Sequence, residues 1–210
     1  MQPIPRTISL LDQILSSVTH GVGFVLALFA LIIPLFFGHF PSHQQFVAYI
    51  IFASSLVFLY LCSSLYHAFE HTRAERVFIS LDHSGIFALI AGTYTPLILI
   101  AESGWRAVIF LSIIWTIAIV GTVLKAIWPH RLMHLFTTLY VSMGWLALFI
   151  IHDIAVKAPH GTVLLLILGG IAYSIGTYFF VHRHFPLRHT IWHLFVMAGS
   201  AFHFVAIIKL

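Results

Sequence analysis

Seven long apolar segments, each close in length to the thickness of a bilayer, dominate this sequence of 210 residues. A helix needs about 20 apolar residues to cross the hydrocarbon core of a membrane. Because the segments are continuously apolar rather than alternating, they favour helices over the strands of a barrel. The sequence predicts an all-α integral membrane protein, a seven-transmembrane-helix bundle forming a single domain over residues 1–210. The predicted spans are about residues 18–37, 46–67, 81–101, 107–127, 132–151, 162–181 and 191–208.

The composition excludes most other classes of protein. Hydrophobic residues make up 60% of the chain and charged residues 8%, whereas a soluble domain carries about 25% charged residues. The 10 Lys and Arg residues are spread among short loops, which provides no continuous basic face for a nucleic acid. The single cysteine, Cys62, rules out an intrachain disulfide.

The distribution of basic residues predicts the orientation in the membrane. The N-terminal segment and the loops on its side of the membrane contain seven Lys or Arg residues, and the opposite side contains three. The seven are Arg6, Arg73, Arg76, Lys125, Arg131, Arg183 and Arg188, and the three are Arg106, Lys157 and Lys209. Because basic loops stay in the cytoplasm, we expect the N-terminus to be cytoplasmic and the C-terminus to lie outside.

Three polar clusters interrupt the apolar segments near their ends. The second segment ends with Ser63 and His67, four residues apart, and the third opens with Asp82. The seventh opens with His189 and His193, which also share one helical face. In the predicted orientation all three clusters lie near the cytoplasmic face, although their shared depth played no part in placing the spans. Ionisable groups within spans are costly and indicate functional sites, so a convergent site is predicted here.

Three imidazoles, two of them at i and i+4, are a typical ligand set for zinc. Three protein ligands leave a position open for water, as in catalytic zinc sites. Asp82 would then act as a base on that water or as a fourth ligand, while Ser63 would orient Asp82 or donate to a developing oxyanion. The alternative is structural: Ser63, His67, Asp82 and His193 would form an interhelical hydrogen-bond network of about 1 kcal/mol per bond.

Five motifs, taken together and in this order, resemble the haemolysin III family, the bacterial branch of the progestin and adipoQ receptor (PAQR) proteins. They are Thr19-His20-Gly21-Val22-Gly23, Ser63-Ser64-Leu65-Tyr66-His67, Leu81-Asp82-His83-Ser84-Gly85-Ile86, Ala91-Gly92-Thr93-Tyr94-Thr95-Pro96 and His189-x-x-x-His193. The resemblance implies a zinc ion near the cytoplasmic face with His67, His189 and His193 as ligands. It also implies that Asp82 holds a water or hydroxide against the metal, with Ser63 beside it.

The same resemblance implies a chemistry and a location. Adiponectin receptors look like ceramidases, so the implied activity is zinc-assisted hydrolysis of a lipid amide or ester, in a multi-pass protein of the bacterial inner membrane. A membrane lipid is the expected partner. No protein hormone is expected, because the long soluble N-terminal domain of the receptors has no counterpart here. The alternative function is non-enzymatic: a membrane-homeostasis, signalling or haemolysin-type protein with a structural or regulatory zinc.

Other polar or special residues of the spans have structural interpretations. His20 lies near the cytoplasmic start of the first span, from where it could reach the site, but a hydrogen bond at the helix end is the simpler expectation. His203 lies about 15 Å beyond His193 along the seventh helix, too far to share a metal, and is expected to be a hydrogen-bonded histidine of the bundle. Pro96 is expected to bend the third helix, and Gly169 to allow close helix packing.

Overall fold

The computed structural model describes residues 6–129, 131, 133–182 and 184–210, and all regular structure in those ranges is helical. Two residues used in the sequence analysis, Leu132 and Arg183, lie outside the described residues. The helices are α1 (Arg6–Phe37), α2 (His43–Ala68), α3 (Glu75–Ala101), α4 (Gly104–Ile127), α5 (Met133–Trp145), α6 (Ile151–Lys157), α7 (Thr162–Val181) and α8 (Arg188–Ile207). A 3₁₀ turn over Leu146–Phe149 follows α5.

Six of these helices are long and apolar enough to cross a membrane. The helical segments Met133–Phe149 and Ile151–Lys157 meet at an angle of 52° and make a seventh crossing if they form one span. The prediction of an all-helical membrane protein is therefore confirmed, with six to seven spans. The orientation of the termini stays a prediction.

The fifth span differs from the straight helix predicted over residues 132–151. The α-helix ends at Trp145, a 3₁₀ turn follows, and α-helical structure resumes from Ile151 to Lys157. Such an interruption leaves carbonyl groups without their helical partners, and lipid cannot satisfy them. The hydroxyl of Tyr94 on α3 donates to the carbonyl oxygens of Met143 and Gly144, each at 2.9 Å. A neighbouring helix thus supplies the hydrogen bonds that make the break tolerable.

The third span, α3, is the most buried of the candidate spans. It packs against α2 and α4 and also contacts α5, α6 and α8. The helix continues through Pro96, and the hydroxyls of Thr93 and Thr95 donate to the carbonyl oxygens of Leu89 and Ala91 at 2.8 and 2.9 Å. Pro96 therefore does not end the helix, and α3 reaches from the site region across the bundle. The bend expected at Pro96 stays a prediction.

Two helix contacts place the site. The first helix packs along α2 and α8, and the carboxylate of Asp12 on α1 accepts the backbone N–H of Thr190 at 2.9 Å and that of His189 at 3.3 Å. The first N–H groups of a helix have no partner within the helix, so this carboxylate satisfies the start of α8. It fixes the beginning of α8 against α1, close to the end of α2.

Candidate metal centre

The three histidines predicted as metal ligands lie together. His67 comes from the last turn of α2, and His189 and His193 come from the first turns of α8. One ring nitrogen from each lies within 4.8 Å of the others, which is close enough for the three to hold a metal ion. The ring centroids are 4.5 to 4.9 Å apart. This set is called the histidine cluster below.

Hydrogen bonds from α1 orient two of the three rings. Nδ1 of His67 donates to the side-chain oxygen of Gln13, and Nδ1 of His193 donates to the carbonyl oxygen of Ser16 at 3.0 Å. Each of these bonds leaves Nε2 as the nitrogen with a free lone pair. Within the described part of the chain, Nε2 of His67 is buried and meets no hydrogen-bond partner. These two rings are therefore prepared to bind a cation through Nε2.

The hydrogen bonds that α1 makes with the site residues were not predicted from the sequence. Asp12, Gln13 and Ser16 precede the first predicted span, but α1 already begins at Arg6, so all three are helical. The available signal was spacing, because Asp12, Ser16 and His20 recur at intervals of four residues and share one helical face. That face meets the start of α8.

His20 does not have the predicted hydrogen bond at a helix end. It lies well inside α1, and neither of its ring nitrogens meets a partner among the residues described. Its ring stacks on His193 with centroids 3.4 Å apart and planes 4° from parallel, and its edge meets Tyr60 at 4.9 Å. His20 is not grouped with His67, His189 and His193 as a possible metal ligand. His20 is therefore a neighbour of the cluster and not a fourth ligand.

Asp82 and Ser63, predicted as catalytic residues, are both buried, with exposed fractions of 7% and 1%. The helix α3 begins at Glu75, before the predicted start of the third span, which puts Asp82 about two turns into the helix. Ser63 on α2 and Asp82 on α3 line the same cavity. Asp82 is not one of the residues grouped as possible metal ligands, which favours contact with a metal through water over direct ligation.

Lys125 is a second finding that the sequence did not predict. We counted it as a loop charge, and a lysine near the end of a span usually extends to the membrane surface. In the structure it is fully buried, its ammonium donates to the carbonyl oxygen of Pro129 at 3.3 Å, and it lies 4.4 Å from the centre of the Phe136 ring. Its charge attracts that of Asp82, without an ion-pair contact between the two side chains among the described residues.

A cavity of about 140 Å³ adjoins these residues. His189, His193, Ser63 and Asp82 line it, whereas His67 is not among its lining residues, and most of the wall is apolar. Apolar side chains come from α3, from the broken fifth span and from α7. They include Ile86, Ile90, Leu97, Leu148, Ile151 and Leu166. The cavity thus joins candidate metal-binding and acid–base groups to an apolar compartment.

The chain was compared with known proteins. The family model described as "Haemolysin-III related" matches residues 9–204, a stretch that contains every site residue discussed here. Hemolysin-3 of Bacillus cereus is 40% identical over 200 residues, covering 94% of this chain and 90% of that protein. The Hemolysin-3 homolog of Bacillus subtilis (strain 168) is 36% identical over 198 residues, covering 94% and 93%. The monocyte to macrophage differentiation factor of Homo sapiens is 29% identical over 167 residues, covering 76% and 68%.

Proposed function

The chain belongs to the haemolysin-III-related family, and from this premise we propose that it is a zinc-dependent, ceramidase-like hydrolase of a lipid amide or ester. It would serve membrane-lipid homeostasis from the bacterial inner membrane, with the site at the cytoplasmic face that the basic residues predict. The observation that carries the proposal is the histidine cluster, two of whose members, His189 and His193, line an apolar cavity together with the buried Asp82.

The residues of the cluster fit zinc better than other common metals. Imidazole nitrogen suits zinc, whereas calcium and magnesium prefer oxygen ligands. The buried Nε2 of His67 needs a partner, and Gln13 and Ser16 hold two of the rings through their other nitrogens, as is usual around zinc-binding histidines. Bound there, zinc would polarise a substrate carbonyl and make water acidic enough to react near neutral pH.

Asp82 is the group that would move the proton. Its carboxylate takes a proton from the attacking water and returns it to the departing amine or alcohol. Ser63, which lines the same cavity, would orient the carboxylate, and the charge of the buried Lys125 would offset part of the charge of Asp82 within the apolar bundle. Each of these groups comes from a different helix, so the geometry depends on how α2, α3 and α4 pack.

The cavity supplies the binding site for the lipid chain. Its apolar side chains would hold hydrocarbon, and its polar groups would meet the amide or ester. A chain in the cavity also excludes bulk water, which strengthens the electrostatic interactions around Asp82. A membrane lipid is therefore the substrate class that this cavity suits.

A second candidate function has its own support. Gln13 and Ser16 of α1 hold ligands from α2 and α8, so a metal bound there would fasten three helices together. In this alternative the zinc is structural or regulatory and the protein acts in membrane homeostasis without catalysis. Asp82 separates the two candidates, because it matters for turnover but not for fastening the helices.

The first test is the metal content of the detergent-purified protein, measured by plasma mass spectrometry beside a His189→Ala/His193→Ala variant. We expect close to one zinc per chain, lost in the variant. Zinc-loaded protein is then assayed on ceramides and on lipid esters, with Asp82→Asn as the inactive comparison. Absence of turnover by fully zinc-loaded protein would reject the hydrolase and favour the second candidate.

A further inference from the structure

His20 is a buried histidine of α1 that has no part in the proposed hydrolysis. Its ring lies against the ring of His193 on α8, with centroids 3.4 Å apart and planes 4° from parallel. Because the optimal separation of two carbon atoms is about 3.5 to 4.0 Å, rings this close touch across their faces with little sideways offset. The ring of His193 therefore cannot tilt toward His20 without a clash.

A second ring packs His20 from α2. The ring of Tyr60 meets that of His20 edge to face, with centroids 4.9 Å apart and planes at 79°. Tyr60 is itself buried, and Gly23 on α1 makes room for it, because a Cβ atom there would lie 2.8 Å from Cδ1 of Tyr60. His20 is thus packed by rings from two other helices, and it transmits the packing of α1 and α2 to His193.

The ring of His193 needs such a contact to keep one orientation. The torsion that turns a histidine ring about its last single bond has a broad energy profile, so neighbours decide the plane of the ring. The hydrogen bond from Nδ1 to the carbonyl oxygen of Ser16, at 3.0 Å, fixes the position of one ring atom. The stacked ring of His20 fixes the plane. Together these two contacts determine where Nε2, the nitrogen left with a free lone pair, points.

We propose that His20 is a positioning residue of the metal centre, which holds the ring of His193 by stacking so that Nε2 faces the other two histidines of the cluster. The role requires a flat ring at position 20 and does not require a ring nitrogen. This inference rests on the proposed function, because it concerns the binding of the metal at the histidine cluster. It gives α1 a third contact with that cluster, besides the hydrogen bonds from Gln13 and Ser16.

The test compares ring-containing and ring-free variants of position 20 in the detergent-purified full chain. His20→Phe keeps a flat ring and removes both nitrogens, whereas His20→Leu removes the ring. Competition with a chelator of known affinity measures zinc binding. We expect His20→Leu to bind zinc about 10-fold more weakly than the wild type, or weaker still, since this is the scale for loss of a contact that supports a metal ligand. His20→Phe should stay close to the wild type.

A spectrum separates positioning from simple space filling. Cobalt(II) can occupy a zinc site, and its visible absorption depends on the arrangement of the ligands around it. The wild type and His20→Phe should give the same cobalt spectrum, and His20→Leu should give a different one, because the ring of His193 is then free to turn. A residue that only fills space would lower the stability of the protein without changing this spectrum.

Two further variants serve as controls. His203→Leu removes another buried ring, whose Nε2 donates to the carbonyl oxygen of Leu166 at 3.2 Å, about 15 Å along α8 from His193. It should keep the wild-type zinc affinity and cobalt spectrum. His20→Gln, which is polar but has no ring, should behave as His20→Leu does and replaces it if that variant does not fold. Thermal unfolding of the metal-free proteins in detergent identifies the folded variants.

Three outcomes would overturn the inference. Ring-free variants with the zinc affinity and cobalt spectrum of the wild type would show that His193 keeps its orientation without His20, and would leave the proposed function standing. A loss of zinc from His20→Phe as large as that from His20→Leu would show that a nitrogen of His20 is needed. If the wild-type protein binds no zinc in the same measurement, the metal centre of the proposed function fails and this inference fails with it.

Discussion

The two halves of α8 both carry histidines, but in different surroundings. At its start, His189 and His193 face a third histidine, and hydrogen bonds from α1 hold the helix and His193 in place. In its second half, His203 meets one carbonyl group and one tyrosine ring. Free nitrogens that converge can bind a cation, whereas a single free nitrogen in an apolar wall can only accept a hydrogen bond. Histidines on one helix are thus suited either to cation binding or to accepting a hydrogen bond, depending on the neighbouring side chains.

The largest expected effect is a change in zinc content, which should distinguish variants in the first half of α8 from a variant in the second half. His189→Ala/His193→Ala should abolish zinc binding, because a single remaining imidazole cannot hold the ion. His203→Phe should leave the zinc content unchanged, because that ring is about 15 Å away. Plasma mass spectrometry of both purified variants checks this. Zinc retained by the double variant, or lost from His203→Phe, would contradict the division of α8 drawn here.

The next largest effect concerns catalysis at the histidine cluster. Asp82→Asn removes the proton acceptor but keeps the shape of the side chain, so lipid-amide turnover should fall by about 100-fold or more, the usual scale of general acid–base catalysis. Zinc content should stay at the wild-type level, because Asp82 lies outside the histidine cluster. Initial rates measured on zinc-loaded protein test this. Undiminished turnover in Asp82→Asn would assign the proton transfer to another group.

A smaller effect tests how α1 prepares the cluster. Gln13→Leu removes the acceptor that orients His67, and losing such a support lowers zinc affinity by about 10- to 100-fold. Gln44→Leu, at an exposed position near the start of α2, provides the matched control and should bind zinc as the wild type does. Competition with a chelator of known affinity measures both. Equal affinities would mean that the ring of His67 keeps its orientation without α1.

The smallest effect belongs to the second half of α8. Tyr173→Phe removes the hydroxyl bonded to Ser200 and should destabilise the protein by about 0.6 kcal/mol, the average for interhelical hydrogen bonds in membranes. Zinc affinity should not change. Thermal unfolding in detergent beside Tyr178→Phe, at an exposed position on α7, measures the difference. A loss of zinc from Tyr173→Phe would show that the two halves of α8 are coupled.

Much of the candidate site could be predicted from the chain. Spacing placed Ser63 with His67 and His189 with His193 on single helical faces, because residues four apart in a helix are neighbours. The apolar pattern predicted the helices that carry them. Asp82 stood out because a carboxylate within an apolar segment is costly. Local patterns were sufficient here, since each depends on one helix alone.

The features that the sequence did not predict have a common cause. The orientation of His67 by Gln13, the stacking of His20 on His193 and the burial of Lys125 all depend on contacts between helices. In lipid the apolar faces that pack and those that face the membrane have similar compositions, so the sequence does not show which helices touch. The break in the fifth span is tolerated only because Tyr94, on another helix, satisfies its carbonyl groups.

The sequence by itself determined that this protein is helical, membrane-embedded and equipped with three histidines and a carboxylate in positions where lipid surroundings make them costly. Those properties follow from local periodicity and from the free energy of placing polar groups in a membrane. Only the tertiary structure decided that the three imidazoles converge while His203 stands apart with one free nitrogen. Distances between helices are set by packing, and hydrogen bonds formed across those distances choose which ring nitrogen is left free.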